Sequence, residues 1–215
     1  MKILEACKRL ERAGLIAGTS GNVSIRCGES VWTTPTTRLK ELLVEEDLVE
    51  LTLDGEKIDP TSASPSSEVA MHLEIYRAVP WATAVVHAHP ITATALATSC
   101  EKLDFCVTAE GAASIGPIAR VAYITPGTRA LALASARAIE TGSRAALMRH
   151  HGAVCVGESL EEAVARMESL EHVAKIIARM KAIGDIPLLD EDEVRRLRQK
   201  VGLEFGLPRE VFEIE

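Results

Sequence analysis

Aromatic side chains are scarce in this sequence, with three Phe, two Tyr and two Trp making up 3% of 215 residues. So few rings leave little with which to stack exposed bases. Positive charge is also in deficit: 24 Lys and Arg stand against 31 Asp and Glu, a formal charge of −7. Overall attraction to a phosphate backbone is therefore absent, which excludes nucleic acid as the expected partner. Paired cysteines are missing as well. Cys7, Cys27, Cys100, Cys106 and Cys155 are odd in number and show no C-x-x-C spacing, which argues against a disulfide framework and against a thiolate zinc site, and fits a reducing cytoplasm. No run of about 18 apolar residues exists to cross a membrane, and the opening MKILEACKRLERAG is charged and amphipathic rather than a cleavable signal. There is no internal repeat and no low-complexity segment. The expectation is a soluble, cytoplasmic protein with no membrane partner.

What the sequence does contain is a core. Hydrophobic residues are 47% and charged residues 26% of the chain, near the globular average. A chain below roughly 250 residues rarely needs to split its core, so one domain over 1–215 is expected, with a charged tail from about residue 185. Residues 2–16 place Ile3, Cys7, Leu10 and Gly14 on one helical stripe. The stretch 18–35 turns to Gly, Ser, Thr and Asn and then to β-prone V-S-I and V-W-T-T, which reads as a loop feeding a hairpin. Leu48 to Leu53 reads as a strand ended by the Asp54-Gly55 turn, and T-S-A-S-P-S-S as a loop. Val69, Leu73 and Tyr76 predict a helix beginning at or just after Ser66-Ser67, whose hydroxyls suit an N-cap, and stopping before Pro80.

Further along, Ala82 to His89 reads as a buried strand and Ile118 to Ile124 as another. Thr128 to Glu140 and Leu160 to Lys181 read as helices, the second opened by Ser159 and Glu162 in a capping-box pattern. Between them A-A-L-M-R-H-H-G and A-V-C-V-G predict a hairpin, and a last helix is placed near Glu193 to Val201. Strands and helices alternate without a steady βαβ rhythm, so the expected class is α/β, with three α/β/α layers around a mainly antiparallel sheet.

His87 and His89 lie two apart at a strand end, where a period of two points both imidazoles to one side. Two nitrogen donors then converge, as a divalent metal requires. A third donor is expected from His150-His151-Gly152. Adjacent residues face opposite ways, and the one beside the glycine, His151, sits where close backbone approach is easiest. Glu68, at the start of a helix, reads as a fourth ligand, a base, or a partner of the helix dipole. His72, one turn later, is a competing ligand or a residue packed against the sheet. Three other segments share one chemistry: G-T-S-G-N at 18–22, T-P-T-T at 34–37 and P-S-S-E at 65–68. Each by itself is a turn or a cap. Together they offer hydroxyls and free N–H groups able to hold a phosphate dianion without arginine.

In this order and at these separations, G-T-S-G-N-V-S-I-R, T-P-T-T, P-S-S-E, V-V-H-A-H-P and R-H-H-G resemble the class II aldolase/adducin family, over about residues 5–180. The resemblance implies the family's three-layer α/β/α domain and a fourfold-symmetric homotetramer with active sites between neighbouring subunits. It implies Zn2+ held by His87, His89 and His151, with Glu68 as a further ligand or catalytic base. It also implies phosphate contacts from Thr19, Asn22, Thr37, Ser66 and Ser67, glycine standing at the position of Thr37 in comparable aldolases. The activity implied is cleavage of a small phosphorylated sugar, a ketose 1-phosphate of the L-fuculose type, to dihydroxyacetone phosphate and an aldehyde, with zinc as the Lewis acid. Manganese, iron or cobalt would suit the same donors. A pentulose-phosphate 4-epimerase, a methylthioribulose-1-phosphate dehydratase and a non-catalytic adducin-like interaction module are the alternatives. One departure stands out. The family tyrosine that protonates the aldehyde oxygen aligns near Thr108, with Glu110 and Tyr123 further along and no tyrosine in the tail.

Overall fold

The computed structural model describes residues 2–100, 102–202 and 212–214. Helix α1 (Ile3–Arg12) is followed by strands β1 (Asn22–Cys27), β2 (Ser30–Thr33) and β3 (Val49–Thr52), then helix α2 (Val69–Ala78). Strand β4 (Ala84–Ala88), helix α3 (Ile91–Ser99), strand β5 (Ile118–Val121) and helix α4 (Arg129–Glu140) come next. The chain continues through β6 (Ala145–Met148), β7 (Gly152–Gly157), α5 (Leu160–Ile183), α6 (Glu191–Lys200) and β8 (Phe212–Ile214).

All eight strands join one sheet in the order β3-β2-β1-β4-β7-β6-β5-β8. Only β5 pairs in parallel, with β6 and with β8, and the other pairs are antiparallel. The expected α/β class and mainly antiparallel sheet are thus what the chain forms.

Two apolar layers explain the strand sequences. Ala84, Val86 and Ala88 of β4 face one side, where α1, α3 and α5 bring Cys7, Leu10, Leu96, Met167 and Leu170. Val85 faces the other, against Leu73, Ile75 and Tyr76 of α2 and Leu131 and Ile139 of α4. A sheet covered on both faces needs apolar residues at every position, and accordingly every residue of β4 and β7 is buried. The pleat then decides where the polar exceptions go. His87, in phase with Val85, leaves the strand on the α2 side.

The helix boundaries have local causes. The first helix stops at Arg12, because Gly14 takes a left-handed φ of +69° and breaks the stripe. The second begins at Val69, just after the serines as expected: Ser66 Oγ accepts from Glu68 N (3.3 Å), and Glu68 holds the N-cap position without using its own side chain to cap. Helix α3 has no clear apolar stripe, and its I-T-A-T-A-L-A-T-S sequence carries three threonines. It forms because Glu171 of α5 caps it from outside, its carboxylate accepting from Thr92 N (3.0 and 3.1 Å), Thr92 Oγ1 (2.8 Å) and Ala93 N (2.9 Å). Among the described residues no helix is long and apolar enough to cross a membrane.

Candidate functional site

The C-terminal end of β4 and the N-terminal end of β7 meet in the middle of the sheet, at the end where α2 begins. His87 is wholly buried, and its Nδ1 lies 2.9 Å from Ala153 O. A carbonyl only accepts, so Nδ1 carries the proton and Nε2 presents its lone pair to the cleft. His89 Nε2 lies 3.2 Å from His87 Nε2. Glu68 spans the remaining side, with Oε2 3.0 Å from His87 Nε2 and Oε1 3.1 Å from His151 Nε2. One donor atom from each of Glu68, His87, His89 and His151 lies within 4.8 Å of all the others.

Gly152 makes this convergence possible. A Cβ there would stand 2.5 Å from Ala88 O and 2.8 Å from His89 Cδ2, so any other residue would collide with the strand and the ring that carry the donors. His150, with φ of +56°, turns the opposite way and faces the ring of Tyr123 with centroids 6.0 Å apart. Of the two adjacent histidines, it is His151 that joins the cluster. His72 does not join it: fully buried, it bonds through Nδ1 to Ser24 Oγ (2.7 Å), which in turn meets Tyr76 OH (2.8 Å).

The donor set fits a divalent cation. Tetrahedral coordination at ~2.1 Å puts neighbouring donors roughly 3.4 Å apart, close to the spacings of 3.0 to 3.2 Å here. Glu68 Oε1 is a buried acceptor with no hydrogen-bond donor, an unmet demand that a cation at the centre would satisfy. Protonation states agree. Burial alone would raise the Glu68 pKa, and His151 and His87 lower it well below its ordinary range when they are protonated. Burial, followed by the neighbouring His87 and His151, lowers His89 to about 4, so it is neutral at pH 7 as a ligand must be.

A cavity of about 230 Å³ adjoins the cluster. Thr19, Asn22, Thr37, Ser66 and Ser67 all line it, together with Glu68 and His89. Three separate contacts draw the segments together. An isolated bridge pairs Pro35 with Pro65, Ser66 N donates to Thr34 O (3.2 Å), and Asn22 stands opposite His87 in the β1–β4 register. Thr37 is held at φ of +53°, a left-handed conformation that favours glycine and that a β-branched residue seldom takes. Gly21 has the same hand for a different reason: a Cβ there would meet His87 O at 2.9 Å and Ile16 Cγ2 at 2.5 Å.

The sequence reading missed two residues of this region. Glu171, which caps α3 directly after His89-Pro90, carries no local signal. Lys40, in a stretch to which the sequence analysis assigns no element, also lines the cavity and is 2% exposed. Its position three residues after T-P-T-T was the only clue. On the far side, Thr108 Oγ1 accepts from Gly111 N (3.0 Å), so it starts the short helical turn at Gly111–Ile115, and Tyr123 is 57% exposed.

Comparison with known proteins gives this geometry a context. L-fuculose phosphate aldolase from Escherichia coli K12 is 34% identical over 203 residues, covering 93% of this chain and 92% of that protein. The protein of the same name from Methanocaldococcus jannaschii is 32% identical over 175 residues, 81% of this chain and 93% of its own. Among solved structures, YgbL from Klebsiella pneumoniae, provisionally assigned as an aldolase, epimerase or decarboxylase, superposes with a TM-score of 0.84 at 30% identity, covering 91% of this chain and 95% of its own. The profile of the Class II Aldolase and Adducin N-terminal domain matches residues 1–178, which takes in every donor of the cluster and of the cavity beside it, and on that match the chain belongs to the class II aldolase and adducin family.

Proposed function

We propose that this enzyme of the class II aldolase family cleaves a ketose 1-phosphate of the L-fuculose 1-phosphate type to dihydroxyacetone phosphate and an aldehyde. The observation that carries the reading is one cleft with two adjoining chemistries: four metal-donor atoms within 4.8 Å of one another, and a cavity of about 230 Å³ lined by hydroxyls and amides. His87, His89 and His151, with Glu68, would hold a divalent ion, and we propose Zn2+. When bound, that ion supplies Lewis-acid polarisation of the substrate's carbonyl and neighbouring hydroxyl.

The residues of the chain do the rest. Thr19, Asn22, Ser66, Ser67 and the backbone at Thr37 receive the phosphate, which sets the distance from the phosphorus to the reacting carbons. Glu68 is in contact with two of the imidazoles, so it is placed to move a proton at the carbon next to the carbonyl once substrate displaces it. Burial of His87, together with its bond to Ala153 O, keeps the imidazole from reorienting as charge moves. We further propose one domain over 1–215, a homotetramer with active sites between subunits, and a cytoplasmic location.

The position near Thr108 bears no phenol, and its hydroxyl is engaged in a turn. That observation favours as second readings a pentulose-phosphate 4-epimerase or a methylthioribulose-1-phosphate dehydratase, which use the same donors on a different leaving group. A non-catalytic, adducin-like role has no use for a carboxylate in contact with two imidazoles of a three-histidine cluster. The deciding experiment incubates metal-loaded protein with a panel of ketose 1-phosphates and identifies products by NMR and a coupled assay for dihydroxyacetone phosphate. Release of that triose is expected. An epimer, or loss of water from the intact carbon chain, would replace the aldolase reading with one of the others.

A further inference from the structure

Lys40 has an environment that folding alone does not account for. It is 2% exposed, and its ammonium donates to Thr19 O (3.1 Å) and Arg38 O (3.1 Å), using two of its three N–H bonds. Among the described residues it has no third acceptor, and no carboxylate lies within ion-pairing distance. The Cys7 thiol acts on it electrostatically, and burial pushes that thiol up to about 12 and so leaves it neutral. An ammonium taken out of water with only two carbonyls for company is costly, and its pKa is lowered by that burial. Buried charges are ordinarily compensated, and here, among the described residues, two carbonyls supply all the compensation there is.

The location identifies what would complete it. Thr19 belongs to the first hydroxyl-rich loop and Arg38 follows Thr37 of the second, so Lys40 ties together two of the segments lining the cavity and lines that cavity itself. Carbonyl oxygens repel an anion. By drawing those of Thr19 and Arg38 to its own ammonium, Lys40 engages two acceptors at the cavity wall, and the hydroxyl and N–H donors of the loops remain available. We propose that Lys40 is the cation of the anion pocket: it neutralises the substrate's phosphate and fixes the two loops that surround it. The proposal rests on the sugar-phosphate reading above and corrects one part of it, since the pocket is then not built from neutral donors alone.

The test is binding of inorganic phosphate to metal-loaded protein by calorimetry, alongside steady-state kinetics with the ketose 1-phosphate that is turned over. Lys40→Met removes the charge and keeps the chain length. Lys40→Gln keeps an N–H donor for the two carbonyls if the methionine variant fails to fold, and Lys40→Arg restores the charge. Expected are a fall in phosphate affinity of about 30-fold or more for the methionine and glutamine variants, a matching rise in KM with kcat within about threefold, and recovery of most of the affinity in the arginine variant. A residue that only braces the loops would instead lower kcat and thermal stability while charge restoration made no difference. Phosphate affinity within threefold of wild type in a folded, uncharged variant overturns the role of Lys40 alone. A wild-type protein that binds no phosphate overturns it together with the sugar-phosphate reading.

Discussion

The two halves of the cleft share Glu68 and His89 but are built on opposite plans. The metal half takes one atom from each of four side chains, delivered by two strands and a helix start from positions 68, 87, 89 and 151, and fixed by Ala153 O and the missing side chain of Gly152. The anion half takes many donors from three short loops, each replaceable by a neighbour. A cluster of single donors fails when one is lost, whereas a set of parallel donors weakens by degrees. The comparison therefore predicts sharply unequal penalties for substitutions only a few ångströms apart.

The largest effect is expected from His89→Ala, which removes a donor that no other residue can replace. Elemental analysis should find the purified variant without its divalent ion and activity at background, and a variant that retained both would show the cluster to be more tolerant than its geometry implies. Glu68→Gln should come next. It keeps most of the metal through the three imidazoles and loses proton transfer, lowering kcat by about 10²- to 10⁴-fold. Near-normal turnover would remove Glu68 from its place as the base.

Acid should act on the metal-free protein in a defined window. His72 and His89 are lowered by burial to about 3 and about 4 from an ordinary 6.5, so the unfolded chain binds protons that the folded one refuses. Stability is fully present above about pH 6.5 and falls as pH drops toward 4. Melting temperatures across that range should show the decline, and His72→Gln should flatten it; an unchanged slope would mean that the buried imidazole does not resist protonation. The smallest effect belongs to the anion half. Ser67→Ala removes one donor among several and should raise KM by about tenfold with melting temperature nearly unchanged. A loss as severe as that of His89→Ala would erase the contrast between the halves.

Much of this was written locally in the sequence. The continuous apolar runs of β4 and β7, the Ser159 cap of α5 and the H-A-H pair at a strand end are signals within a few residues, and each leads to the element or side chain now seen. The hydroxyl-rich loops were legible only in combination, since each alone is an ordinary turn. What escaped depended on partners far away in the chain. Helix α3 is capped by a carboxylate some 79 residues later, and the buried Lys40 ammonium donates to the carbonyl of Thr19, 21 residues earlier. Strand β8 extends the sheet by pairing with β5 in parallel, a contact that nothing near Phe212 to Ile214 announces. The start of α2 just after the serines was legible, and it leaves Glu68 at the N-cap position facing two imidazoles.

The bond from His87 to Ala153 fixes one ring, and the bare backbone of Gly152 leaves room for the others to approach it, whether or not anything sits between them. A nest of nitrogens shaped in advance by the fold ranks divalent transition ions in their general order of affinity and adds little preference of its own. We therefore expect ion supply at the time of synthesis to weigh in which metal is loaded, and protein expressed with cobalt or manganese in excess should carry that history into its catalytic rate.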